Sequence, residues 1–274
     1  MLKFILIFFV TFLCFGQNKI QVLNKLTSEP ISYANVWIEN KIFTTTDSLG
    51  YFKNIKSSNL KYKISAIGYN NEFSEPNDSI IFLMPKDIIL DEVKIINQKF
   101  LNKVKYGKAK KDIFIGVNFD VTASEFIKFI PNTLETTTTL FINSISFYTN
   151  STSNNRKINI VLYSIGKNGS PDEIINDENI IHNLKKGKTI NYVNLKKLKI
   201  ILPKKGLYVG IQHLLIEDNK YYPTINNPNH KSFCYEPFLS VSEIKDNFDS
   251  WDLFNGEWKI NEKFSLNIEV EISD

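Results

Sequence analysis

The side chains that could carry chemistry in this 274-residue sequence are few and scattered. Its three histidines are His182, followed by Asn183-Leu184-Lys185, His213, followed by Leu214-Leu215-Ile216-Glu217, and His230, followed by Lys231-Ser232-Phe233. Only His213 has a carboxylate at a ligand-like spacing, Glu217, and that segment reads as a strand end, where residues four apart do not share a helical face. There is no His-Glu-x-x-His, no Gly-x-Ser-x-Gly and no phosphate-cradling glycine loop. A catalytic set gathered from distant residues stays open, because geometry and not sequence order defines one. The expectation is a non-enzymatic chain with no catalytic residue, no cofactor and no metal site.

Two other clusters offer binding chemistry. Asp246-Asn247-Phe248-Asp249-Ser250-Trp251-Asp252 supplies carboxylates at every third position without a glycine, whereas calcium loops alternate their ligands around a central one. A solvated acidic turn is the favoured reading. Trp251 and Trp258 flank Asn255-Gly256, and Tyr221, Tyr222 and Tyr235 lie nearby in sequence. Flat aromatic faces of this kind stack on sugars, with Asn and Asp available for hydroxyls. The competing reading is aromatic core under a hairpin. The third tryptophan, Trp37, is expected in the core of a first domain. Lysine pairs at Lys185-Lys186, Lys196-Lys197 and Lys204-Lys205 read as solubilising turn residues that blunt edge strands.

The elements that must position these residues follow from composition and period. Residues 1–17 carry Lys3 and then a twelve-residue run from Phe4 to Phe15, apolar but for Thr11 and too short for a span of about 20. With Gly16 behind them they read as a secretory signal peptide, cleaved after Gly16 or Gln17, with an uncleaved anchor as the alternative. Leu13 before Cys14 argues against lipidation. Removal of the leader leaves Cys234 as the single thiol, so stability rests on core burial and not on a disulfide. The formal charge of +4, or +3 without Lys3, is too mild to point to nucleic acid. No transmembrane span is expected in the mature chain. At 43% hydrophobic and 13% aromatic residues, there is material for two cores.

Two β-rich blocks are expected, residues 18–96 and 112–274, joined by a basic linker or exposed connecting strand at 97–111. In the first, short runs alternate with turns every 8 to 12 residues, including Asp47-Ser48-Leu49-Gly50 and a strand from Lys61 to Ile67. In the second, Lys157 to Tyr163, Lys188 to Leu195 and Gly206 to Ile211 read as strands. Asn255-Gly256 is a two-residue hairpin signal, and Phe264 to Ile272 alternates strictly as one last strand. Ser124 to Phe129 reads as a short helix capped by Ser124. The fold class expected is all-β.

The order Pro30-Ile31-Ser32-Tyr33-Ala34-Asn35-Val36-Trp37-Ile38, Thr44-Thr45-Thr46-Asp47-Ser48-Leu49-Gly50-Tyr51-Phe52, Ile64-Ser65-Ala66-Ile67-Gly68-Tyr69 and Leu90-Asp91-Glu92-Val93 resembles the carboxypeptidase regulatory-like domain. The resemblance covers Ile20 to about Val93 and implies a transthyretin-like (prealbumin) Greek-key sandwich, a non-catalytic module of bacterial envelope proteins. The carboxypeptidases behind the family name bind zinc through a His-x-x-Glu pair, which no histidine here provides. Ile89-Leu90-Asp91-Glu92-Val93-Lys94-Ile95 looks like the join before the plug of TonB-dependent outer-membrane transporters. About 180 residues follow it, too few for a barrel of ~22 strands. The second block, through Asn159-Ile160-Val161-Leu162-Tyr163, Asn168-Gly169-Ser170-Pro171 and Leu202 to Ile211, is similar to C-terminal domains of uncharacterised envelope proteins and has a jelly-roll flavour. The ending Val270-Glu271-Ile272-Ser273-Asp274 is acidic and lacks the basic final strand of a surface-sorting domain.

Together these imply an exported protein of the periplasm or outer membrane, acting as a structural or protein-interaction accessory with an envelope protein as partner. A glycan-binding module with a polysaccharide ligand is the alternative, and a hydrolase with a dispersed site the second.

Overall fold

The computed structural model describes residues 19–54, 61–75, 78–86, 103–118, 123–133, 139–223, 233–244 and 249–274. The leader, Leu90-Asp91-Glu92-Val93, residues 97–102 of the expected linker, His230 and Asp246-Asn247-Phe248 lie outside these. The chain is all-β and divides into two compact units, one of Met1–Glu39 and Phe43–Lys86, the other of Asn40–Ile42 and Asp87–Asp274. Among the described residues no helix is long and apolar enough to cross a membrane.

The first unit has seven strands: β1 Lys19–Asn24, β2 Asn35–Ile38, β3 Lys41–Thr45, β4 Tyr51–Lys53, β5 Lys63–Ser65, β6 Glu72–Phe73 and β7 Ile80–Leu83. They form two sheets, β4-β1-β7 and β3-β2-β5-β6, with β1 and β7 parallel. Alternation puts Ile20, Val22, Val36, Phe52, Ile64, Ile81 and Leu83 into one core, where the Tyr62 ring meets Phe52 edge-on at 5.2 Å. Polar residues of the motifs lock the turns. The buried Thr46 hydroxyl donates to Ile31 O (3.0 Å) and accepts from Ala34 N (2.8 Å). Asp47 Oδ1 accepts from Leu49 N and Tyr51 N, both at 2.9 Å, and Gly50 supplies φ +75°. Trp37 is not in this core. It points away from Val36, half-buried, with Nε1 donating to Ser65 Oγ (2.7 Å) and Lys63 over its ring.

The second unit is a larger, jelly-roll-like antiparallel sandwich. Its strands are β8 Val104–Gly107, β9 Ile113–Asn118, β10 Ala123–Ile130, β11 Phe141–Ser151, β12 Lys157–Ile165, β13 Pro171–Ile174, β14 Ile180–Asn183, β15 Gly187–Asn194, β16 Leu207–His213, β17 Lys220–Tyr221, β18 Cys234–Glu243, β19 Ser250–Phe254, β20 Glu257–Ile260, β21 Phe264–Leu266 and β22 Ile268–Ser273. One sheet runs β12-β16-β10-β19-β20, with β13 and β14 on the outer side of β12. The other is built on β11, flanked by β15 and by β22 and β18.

Two expectations are corrected here. Residues 123–130 are strand β10, not a helix. Both faces of this strand are covered, so it carries no alternation of polar residues, and the serine signal misleads. Val104–Gly107, inside the stretch read as a linker or exposed connecting strand, is a strand paired with β22. The last run is two strands, because Asn267 hydrogen-bonds across to β18 through N→Ser240 O (3.0 Å) and Ser242 Oγ→Oδ1 (2.8 Å). The chain then changes partner from β18 to β11. The Asn255-Gly256 hairpin forms as expected, with φ +51° and +79°.

Gly210, at the centre of β16, lies opposite Val161 on one side and Ile127 on the other. A Cβ there would come within 2.3 Å of Phe126 O and 2.6 Å of Ile127 Cα. Gly210 thus lets the two central strands of this sheet approach closely, and the sheet is bent into a half-barrel. Gly210→Ala is expected to destabilise the protein by about 2 kcal/mol or more, since backbone must move to admit the methyl. Urea unfolding checks this, and an unchanged midpoint would show that the bend does not depend on the glycine.

Candidate functional site

In antiparallel register, directly opposed residues share a face, and this places a set of chemically capable side chains on the concave face of the half-barrel. One row runs Asn159, Gln212, Glu125, Leu253, Trp258 across β12, β16, β10, β19 and β20. The next runs Val161, Gly210, Ile127, Trp251, and the third Tyr163, Tyr208, Phe129. In a flat sheet Trp258 and Tyr163 would sit four strand intervals apart, about 19 Å. Their ring centroids are 5.0 Å apart, edge to face. Tyr208 stands 6.4 Å from Trp251 in the same manner. Tyr163 and Tyr208 are buried and both tryptophans half-buried, so the face is an aromatic cluster of its own, on the far side of the sheet from the main core.

Glu125 lies at its base, 2% exposed. A register shift between Ala123 and Glu125 sets its position on β10. Its Oε2 accepts from the Tyr163 hydroxyl (2.5 Å) and its Oε1 from Gln212 Nε2 (2.8 Å). Gln212 Oε1 accepts in turn from Asn159 Nδ2 (3.0 Å), which also donates to Asn179 Oδ1, while Asn159 Oδ1 accepts from Ile180 N (2.8 Å). Neither donor to Glu125 is charged. Burial pushes the Glu125 carboxyl up to about 7, partly offset by the two hydrogen bonds. Burial, then the nearby Glu125, holds the Tyr163 hydroxyl well above its ordinary range.

The second buried carboxylate is handled differently. Glu236 accepts from Arg156 Nε (2.9 Å), from Thr152 N and from Thr152 Oγ1 (3.1 Å), pinning the β11–β12 turn to β18. His213 lies between the sheets with its Nε2 2.8 Å from Pro237 O and its buried Nδ1 without a partner. Burial lowers it to about 4. Glu217 is not beside it and instead pairs with Lys220 (2.6 Å). Among the described residues no group of three or more His, Cys, Asp or Glu is placed to hold a metal ion. Asp249 of the acidic run pairs with Lys128 (3.3 Å), and burial raises Asp252 to about 6 although Asn261 donates to it (2.9 Å).

The five aromatic residues singled out in the sequence do not form one platform. Trp251 and Trp258 share the concave face. Tyr221, Tyr222 and Tyr235 belong to the other sheet around β17 and β18, where Tyr221 meets Phe238 (6.0 Å) and Phe233 meets both Tyr222 (5.8 Å) and Tyr235 (5.5 Å). Glu125, Gln212, Asn159 and Tyr163 escaped the sequence reading as site residues. Their signal was one polar residue set into an otherwise apolar strand, as in Ile158-Asn159-Ile160 and Ile211-Gln212.

No protein-family model matches the chain, and no curated protein matches it. Among solved structures, it is similar to the cysteine protease and lectin-like domains of Cwp84, a surface layer associated protein of Clostridium difficile. The identity is 12% and the TM-score 0.43, over 84% of this chain and 44% of that one. Clostridial Cwp84 after propeptide cleavage aligns at 14% identity and TM-score 0.42, over 81% of this chain and 53% of that one. A structure of infectious bursal disease virus aligns at 11% identity and TM-score 0.29, over 88% and 54%. These values fall short of a common fold, and nothing in those names carries over to this chain.

The buried acid has a pH signature. Folded, Glu125 keeps its proton up to about pH 7, whereas unfolded it loses it near 4.5. Its contribution to stability is thus full below pH 4.5 and lost as pH rises through 7. His213, lowered to about 4 from 6.5, acts in the opposite sense over much of the same range and Asp252, raised to about 6, in the same sense, so the native curve alone does not isolate Glu125. Relative to the native chain, Glu125→Gln is expected to gain about 3 kcal/mol between pH 4.5 and 7. Urea midpoints across that range test this, and parallel curves for the two proteins would refute it.

Proposed function

We propose that the chain is a non-enzymatic, exported binding protein of the bacterial envelope. In this reading its first unit is a carboxypeptidase regulatory-like module that engages an envelope or outer-membrane protein by strand addition. The observation that supports this is the outer face of β7. Ile81 and Leu83 fill the core, while Ile80, Phe82 and Met84 alternate with them on the exposed side, at 44%, 43% and 39% exposure. Among the described residues β7 is the edge of its sheet. Edge strands of solitary proteins are normally blunted by lysine, proline or a bulge. None interrupts Ser79-Ile80-Ile81-Phe82-Leu83-Met84. Beyond it the edge is taken, since Asn70 N donates to Met84 O and Lys86 N to Gly68 O, both at 2.9 Å. A partner strand therefore has Ile80 to Leu83 to pair with, main chain giving affinity and alternate side chains specificity.

In-cell cross-linking through a C-terminal tag is expected to recover a stoichiometric outer-membrane partner. The double variant Ile80→Lys, Phe82→Lys is expected to lose it with little change in melting temperature, since both side chains are largely exposed. A partnerless monomer in native envelope extracts would overturn this reading.

A second reading, glycan binding, is supported by Trp251 and Trp258 sharing the concave face of the half-barrel with Asn and Gln side chains at its base. Cell-wall, algal or plant polysaccharides are expected to quench tryptophan fluorescence, and Trp258→Ala to weaken retention about tenfold. No quenching by any of them would remove it.

A further inference from the structure

We infer that the concave face of the half-barrel recognises a ligand bearing a positively charged amine, with Trp251 and Trp258 receiving the cation and Glu125 supplying its counter-charge. This rests on the second reading above, that the face binds a ligand, and adds the ligand's chemical class.

The argument begins with what a buried carboxyl requires. An acid removed from water is stabilised by a cation or by several donors, as Arg156 and Thr152 do for Glu236. Among the described residues Glu125 has two donors, both neutral, one to each oxygen, which leaves a lone pair on each for a further donor. The described groups that could neutralise it are accounted for. Lys128, Asp252, Glu257 and Lys259 project from the opposite face of β10, β19 and β20 by register. Lys157, on the concave side at the far end of β12, lies 3.4 Å from Asp218. Tyr163 and Tyr208 also lie on this face, where burial keeps both hydroxyls neutral, and Asp249 adds a negative charge that acts on Tyr208. The face therefore combines one acid without a charged partner with five aromatic rings, three of them, Phe129, Trp251 and Trp258, only partly buried. Electron-rich ring faces attract ammonium groups, most strongly where water is excluded, and tryptophan does so best. Neutral saccharides can donate hydroxyls to such an acid but bring no charge to balance it.

Proton linkage makes the inference measurable. An ammonium group bound here favours the ionised carboxylate and displaces its proton, so affinity rises with pH until Glu125 is fully ionised. Calorimetry with choline, with a glucosamine dimer and with the N-acetylated, neutral form of that dimer, each at pH 6 and pH 8, tests this on the full chain. Choline keeps its charge at both values. It is expected to bind about tenfold tighter at pH 8 than at pH 6, following the titration of Glu125. Glu125→Gln is expected to abolish that pH dependence. Trp258→Ala, on the exposed edge hairpin, is expected to weaken binding about tenfold without altering far-UV circular dichroism. It reports on the site even if the Glu125 variant does not fold. Binding of choline alone identifies a quaternary ammonium group as the ligand feature, and binding of the glucosamine dimer alone identifies an amino sugar. Equal binding of the N-acetylated dimer, with Glu125→Gln indifferent, would overturn the cation while sparing the glycan reading. No binding of either amine would overturn the proposal, whatever the polysaccharide titrations show.

Discussion

At Gly210 the strands β16 and β10 come together so closely that no side chain fits between them, and the character of the larger sandwich follows from that approach. A sheet of this width is ordinarily a gently twisted surface with one face on the core and one in water. Bent at Gly210, it folds its second face inward until Trp258 on one edge strand meets Tyr163 on a strand four places away. The solvent face becomes a second apolar interior, small and aromatic, backing onto the main core through a single layer of backbone. Glu125, which an open sheet would leave hydrated, is thereby stripped of water.

The two buried acids show how differently one fold can treat the same functional group. Glu236 is held as a structural rivet, its lone pairs filled by a guanidinium, a hydroxyl and a main-chain amide. Removing Arg156 would leave a buried charge without compensation, which is among the costlier single changes available to a core. Glu125 is carried in a row of amide side chains, Gln212 and Asn159, that crosses three strands and ends on the Ile180 amide. Such a row fixes strand register, because a slip by one residue would turn each amide into the apolar core on the other side of the sheet. Its contribution to stability lasts for as long as the acid keeps its proton.

Much of the fold was legible in local chemistry. The Asp47 turn, the Asn255-Gly256 hairpin and the alternation along β1, β7 and β22 depend on near neighbours in sequence, and each forms where its residues indicate. Reading failed where a distant element changes what a strand faces. Residues of β10 look like a capped helix because neither face of the strand is wet. Asn267 looks like one polar step in a regular alternation because its partner, Ser240, lies on another strand. Trp37 reads as core by residue type, yet its indole nitrogen and Lys63 hold it at the surface. The site suffered most. Trp251 and Trp258 announced themselves beside a hairpin, but their separation from Tyr221, Tyr222 and Tyr235 is a matter of which sheet each strand joins. Glu125 meets Gln212 across a strand pair and Tyr163 from the strand beyond it, 87 and 38 residues away in sequence.

The parallel pairing of β1 with β7 gives the smaller sandwich a mechanical property. Chain enters at the start of β1 and leaves at the end of β7, and the two strands run in the same direction side by side, joined by bonds such as Gln21 N→Ser79 O and Lys25 N→Leu83 O. Tension applied between those two points shears the strands along their length and loads these bonds together, whereas a hairpin pulled from its open end yields one bond at a time. A unit built this way holds against such tension until its bonds give way together.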